Sequence, residues 1–207
     1  MASVDFVQIF ILMAVLIGSL SVHEAAHAWA ADQLGDPTAR RLGRLSVNPA
    51  VHVDVIGTLV FPLVALSTGL PLIGWAKPVP VDLRHFRAPR RDFALVAAAG
   101  PASNLVLAVA GAALVPIVGG AGEGGGLPLA VLLQFVVLNV LLAVFNMVPV
   151  PPLDGGNVLM GLLPAAGARV IDRLRPWGFL ILYALMLTGL LSAIMRPVQR
   201  FVLDYLL

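Results

Sequence analysis

The chain has 207 residues, of which 59% are hydrophobic and only 12% charged, with a mean hydropathy of +0.96. A water-soluble domain carries roughly twice that charged fraction on its surface, so the composition excludes a soluble globular protein and indicates an integral membrane protein. Cysteine is absent and the net charge is only +2. Disulfide frameworks, thiolate metal sites and a cysteine nucleophile are thereby excluded, and no basic surface interleaved with aromatics marks a nucleic-acid partner.

The first apolar run covers 6–31 and is bounded by Asp5 and Asp32. It lacks a positive leader and is too long for a signal-peptide core, so it reads as a retained transmembrane helix. The polar stretch 35–49 follows, loosely alternating and punctuated by Gly35, Pro37, Gly43, Asn48 and Pro49. It reads as a short β-hairpin or loop. Residues 55–75 are apolar but broken by Pro62, Ser67-Thr68-Gly69 and Pro71, leaving two halves too short to span. Pro78-Val79-Pro80 leads into the basic run from Arg84 to Arg91. A second span covers about 93–118, a glycine-rich loop 119–126, and a third span about 128–148. A short helix over 157–163 and a last span over about 177–195, with an amphipathic tail, complete the chain.

Charge distribution orients these elements. With 55–75 re-entrant, one side holds Arg40, Arg41, Arg44, Lys77, Arg84, Arg87, Arg90, Arg91, Arg169, Arg173 and Arg175. Only Arg196 and Arg200 fall on the other side, so the 13 basic residues divide eleven to two. A crossing at 55–75 would move five of them and weaken the bias. The expectation is a single all-α membrane domain over 1–207, with about four transmembrane helices, a re-entrant segment and a short β-hairpin. Its basic side faces the cytoplasm. A re-entrant backbone is tolerated only when buried in protein or lining a wet cavity.

His23-Glu24-Ala25-Ala26-His27 stands inside the first span. The i, i+4 spacing sets both imidazoles on one helix face, where they can share a metal ion. Glu24 is beside them and can relay a proton for a water that the metal acidifies. Two histidines and an acid are costly in hydrocarbon, which favours function over hydrogen-bonded core polarity. A catalytic zinc site wants a third protein ligand and one open position. Asp154, His52, Asp54, Asp82, His85, Asp92 and Glu123 are the candidates. Topology sets Glu123 on the far side, and Asp154 and His52 both remain open.

Three motifs, His23-Glu24-Ala25-Ala26-His27, Ala99-Gly100-Pro101-Ala102-Ser103-Asn104 and Phe145-Asn146-Met147-Val148-Pro149-Val150-Pro151-Pro152-Leu153-Asp154-Gly155-Gly156, resemble the signatures of the site-2 protease family of zinc intramembrane proteases. The stretches 48–58 and 74–81 extend the likeness to the compact bacterial branch without PDZ or CBS domains, with Val55 standing where proline is expected. The resemblance implies one zinc ion held by His23, His27 and Asp154. It further implies Glu24 as general base and Asn146 near the metal as a donor to the substrate carbonyl or oxyanion; a helix-end cap is the plainer role for Asn146. It implies a bacterial plasma-membrane enzyme that cleaves transmembrane segments of membrane proteins in regulated intramembrane proteolysis, with the active site toward the cytoplasm. A non-proteolytic zinc carrier is the alternative, and would need a polar path to the far side. Asn104 reads as an interhelical hydrogen bond, Gly100-Pro101 as close packing with a kink. His52 and Asp54 read either as groups orienting a ligand histidine or as interfacial polar residues, and His85 as a headgroup-facing residue. A substrate helix must unwind to be cut, and strand addition along 38–47 is one way it could be received.

Overall fold

The computed structural model describes residues 6–68, 75–120 and 126–207. Helix α1 (Phe6–Gln33), α4 (Pro89–Gly119) and α5 (Gly126–Asn146) are the long apolar elements. At 1.5 Å per residue they measure about 42, 46 and 31 Å, enough to cross a hydrocarbon core of about 30 Å. Among the described residues, only these three are long and apolar enough to span alone. Helix α4 packs on both α1 and α5. Small residues make that contact possible: Ala108 and Ala112 of α4 lie buried against Val136 and Val140 of α5. Bilayer helices associate through such close packing, since lipid offers no hydrophobic drive between them. Phe6, Phe10, Val106, Ile117 and Leu127 remain exposed on the outer faces, as a lipid-facing surface requires.

The expected β-hairpin does not form, and no strand occurs among the described residues. In its place stands the one-turn helix α2 (Thr38–Arg41). Asp36 lies just before it: its buried carboxylate accepts from the Thr38 N–H (3.0 Å), the Thr38 hydroxyl (2.5 Å) and the Asp82 N–H (2.7 Å). Burial pushes this carboxyl's pKa up, but those hydrogen bonds and the nearby His85 outweigh it and hold it below the usual range. An aspartate that bonds the backbone two residues on is a turn signal that the loose alternation concealed. Without a strand, 38–47 offers no edge for a substrate to pair with.

Asp54 caps the next segment by accepting from the N–H groups of Ile56 (3.1 Å) and Gly57 (2.7 Å). A π-turn, Val55–Val60, runs into helix α3 (Phe61–Thr68). Together they reach about 21 Å, short of a crossing. Of the expected 55–75 segment, 69–74 lie outside the described residues. Trp75 is already back at the segment's start: its N–H donates to the Gly57 carbonyl (3.1 Å) and its carbonyl accepts from the Thr58 hydroxyl (2.8 Å). The flanks are tied as well. Lys77 N–H donates to the His52 carbonyl (2.8 Å), Arg44 donates to the Lys77 carbonyl (2.5 Å), and His85 Nδ1 lies 3.1 Å from Asp36. The chain therefore enters and leaves this segment at one end of the bundle.

Helix α6 (Asp154–Leu162) packs on α4, where Arg90 donates to the carbonyls of Met160 and Leu163. Helix α7 (Ala165–Leu174) passes through a 3-10 turn into α8 (Gly178–Leu187). The expected last span, 177–195, is divided between α8 and α9 (Leu190–Leu206), which meet at 77°. Gly189 takes a left-handed conformation there, φ +73°, which costs a glycine little. Helix α9 then turns back along the α4–α5 pair, with Val202, Leu203 and Leu206 against its core.

Candidate metal centre and active site

Helix α1 presents His23 and His27 on the face toward α4, with ring centroids 4.6 Å apart and planes nearly perpendicular. The turn after α5 brings Asp154, first residue of α6, against them. His23 Nε2 and His27 Nε2 are 3.0 Å apart, and Asp154 Oδ2 lies 3.1 and 3.4 Å from them. These are the only three His, Asp or Glu side chains among the described residues so grouped. Both rings are held from behind through Nδ1, His23 by Asn104 Oδ1 (2.6 Å) and His27 by the Val96 carbonyl (2.7 Å). A carbonyl only accepts, so Nδ1 of His27 carries a proton and Nε2 is the ring atom available to a metal. Two Nε2 atoms and a carboxylate oxygen thus converge on one point, where a cation or a shared proton offsets their repulsion. A tetrahedral zinc bound at its usual lengths spaces ligand atoms by about 3.3 Å, which matches the observed separations. The donor set fits a zinc ion, with one position left open.

Gly100 of α4 makes room for the pair. A Cβ at that position would fall on Nε2 of both imidazoles. Glu24 is 9% exposed, and its Oε2 accepts from the Val79 N–H at 3.2 Å. That N–H belongs to an irregular strap, residues 75–82, whose Trp75, Ala76, Pro78, Val79 and Val81 line the site. The cluster, Glu24 and Asn146 all line one cavity of about 460 Å³. Leu20, Trp75, Phe93, Ala97, Phe145 and Phe179 make much of its apolar wall. Asn146, the last residue of α5, donates through Nδ2 to the Leu142 carbonyl (3.0 Å).

The other candidate ligands are engaged elsewhere. His52 is 1% exposed and bonds through Nε2 to the Ser46 carbonyl (2.6 Å). Asp54 caps the π-turn, Asp82 caps the 3-10 turn Leu83–His85 and pairs with Arg84, and Asp92 accepts from the Ala88 N–H at the start of α4. Glu123 lies outside the described residues. Two contributors carried no mark in the sequence, the Val96 carbonyl and the Val79 N–H, and the close packing expected at Gly100 is packing against the two imidazoles. Asn104 makes the interhelical hydrogen bonds expected of it, to His23 of α1 and Asn139 of α5, and the first of these partners is a ring of the cluster. The signal available for Asn104 was an amide in a span that carries small residues, which does not name its partner.

Comparison with known proteins agrees with this arrangement. The model for "Peptidase family M50" matches residues 121–189, a stretch that includes Asn146 and Asp154. The chain is 36% identical over 191 residues to a Bacillus subtilis (strain 168) protein named "Putative zinc metalloprotease YwhC", covering 90% of this chain and 84% of that one. It is 31% identical over 189 residues to "Putative zinc metalloprotease Rip2" of Mycolicibacterium smegmatis, covering 91% of this chain and 71% of that one. No solved structure matches it. A histidine pair and an aspartate converging beside a buried glutamate in an apolar helix bundle are what such an enzyme requires, and this chain belongs to peptidase family M50, the site-2 protease family of zinc metalloproteases.

Proposed function

We propose that His23, His27 and Asp154 hold one zinc ion and that Glu24 is the general base for hydrolysis of a peptide bond in the transmembrane segment of a substrate protein. The observation that carries this reading is the convergence of two ring nitrogens and a carboxylate oxygen beside Glu24 in a single cavity. When bound, the metal would polarise the scissile carbonyl and acidify a water. Glu24 accepts the proton of the attacking water as its oxygen bonds to the carbonyl carbon. It returns that proton to the amide nitrogen as the C–N bond breaks. The Val79 N–H holds the carboxylate toward the cavity meanwhile. Asn146 donates to the oxygen on which negative charge develops, using the N–H not committed to Leu142.

The cavity volume falls within the range of about 300–1,000 Å³ usual for ligand sites, and its apolar wall suits an unwound stretch of apolar chain. The setting proposed is a bacterial plasma membrane with the site toward the cytoplasm. The tied basic loops at one end of the bundle support that orientation.

The test is cleavage of a model transmembrane substrate by purified protein beside Glu24→Gln. The expected result is retained zinc with cleavage lowered at least about 100-fold, the scale of a lost acid–base group. Equal cleavage by both proteins would overturn the role of Glu24. Zinc binding without cleavage in either would favour a carrier.

A further inference from the structure

The Nδ1 contacts of the two histidines differ in kind. At His27 the acceptor is a backbone carbonyl, which determines where the proton lies. At His23 the partner is the side-chain amide of Asn104, which could present oxygen or nitrogen equally well. What orients that amide lies one residue further in. Asn104 Nδ2 donates to Asn139 Oδ1 at 2.9 Å. Asn139 Nδ2 donates in turn to the Phe135 carbonyl at 2.9 Å and to the Ser19 hydroxyl at 3.0 Å.

The Phe135 carbonyl can only accept, so it fixes the nitrogen end of Asn139. The oxygen of Asn139 must then face Asn104, and the oxygen of Asn104 must face His23. His23 therefore carries a proton on Nδ1, which leaves Nε2, the atom facing His27 and Asp154, as its metal-binding atom. Asn104 and Asn139 are both 0% exposed and Ser19 is 1% exposed, so no water competes for these bonds. The relay joins α5, α4 and α1, and it returns to α1 at Ser19, one turn before His23 on the same face.

We propose that Asn139 and Asn104 are positioning residues that transmit the polarity of the Phe135 carbonyl to His23 and select its Nδ1–H tautomer. The consequence for metal rests on the ligand set proposed above; the tautomer itself belongs to the metal-free chain. A plain interhelical tie makes a different prediction. It would be indifferent to which end of Asn104 faces the ring, and a buried aspartate there would serve worse than leucine.

Two measurements test this. The first is the ¹⁵N spectrum of histidine-labelled, metal-free wild-type protein in lipid nanodiscs, with His23 assigned from its loss in His23→Gln. Protonated Nδ1 is expected, and a mixture of Nδ1–H and Nε2–H rings in Asn139→Leu. A bare Nδ1 in the wild type would overturn the proposal. The second is zinc affinity by chelator competition. Asn104→Leu is expected to bind about 10- to 100-fold more weakly, the usual scale for loss of a group that orients a metal-binding histidine. Asn104→Asp, whose carboxylate accepts the same Nδ1–H although it loses the bond to Asn139, should bind zinc more tightly than Asn104→Leu. Equal affinity in the two variants would overturn the proposal. Should Asn104→Leu fail to fold, the wild-type and Asn139→Leu spectra still decide. A wild type that shows the Nδ1–H tautomer yet binds no zinc would remove the ligand assignment and leave the relay standing.

Discussion

His23 and His27 are confined on several sides: by Asn104 and Val96 behind, by Asp154 in front, and by the missing Cβ of Gly100 at the flank. Gly100→Ala would therefore push both rings away from Asp154. Displacements approaching 1 Å at a reacting centre cost on the order of 100-fold in rate, so cleavage should fall by about that factor with a parallel loss of zinc by elemental analysis. Gly18→Ala, whose added Cβ meets nothing within 4 Å, should leave both unchanged. The histidine pair and Glu24 were legible in the sequence because helical spacing is local. Asp154 was not separable from His52 on the residues alone, because which of them meets α1 depends on the turn between α5 and α6. Asn139 carried no mark at all, since its role exists only through Asn104.

Among the elements, the long helices were legible from unbroken hydropathy. Alternation suggested a hairpin at 35–49, yet backbone bonds from Arg41 to Pro37 and from Leu42 to Thr38 close a helical turn there, with Asp36 bonded to its first residue. At that place backbone geometry at a few residues overrode a pattern averaged over many. At the apolar run 177–195 the chain bends by 77° at Gly189, a detail that hydropathy does not carry. The short 55–68 helix and the return of Trp75 to Gly57 predict that both flanks face one side of the membrane. The chain's lack of cysteine makes this simple to check in intact spheroplasts. Arg41→Cys and Lys77→Cys should resist an impermeant thiol reagent, and Leu127→Cys should react. Reaction of Lys77→Cys alongside Leu127→Cys would show that the segment crosses.

Among the described residues, apolar side chains face outward as well as inward, and His23, His27, Asn104, Asn139 and Asp154 are gathered where α1, α4, α5 and α6 meet. A charged or amide side chain in hydrocarbon is expensive, and these five find partners within that junction. The bundle thus places a water-admitting, metal-competent centre beside an apolar cavity, with the strap at 75–82 holding its base. That the sequence-distant Asp154 completes the histidine pair is the central claim. Zinc content of purified Asp154→Ala beside His52→Ala and wild type tests it most directly. About one zinc per chain is expected in wild type and in His52→Ala, and a large loss in Asp154→Ala. Full zinc in Asp154→Ala, or its loss from His52→Ala alone, would contradict the claim.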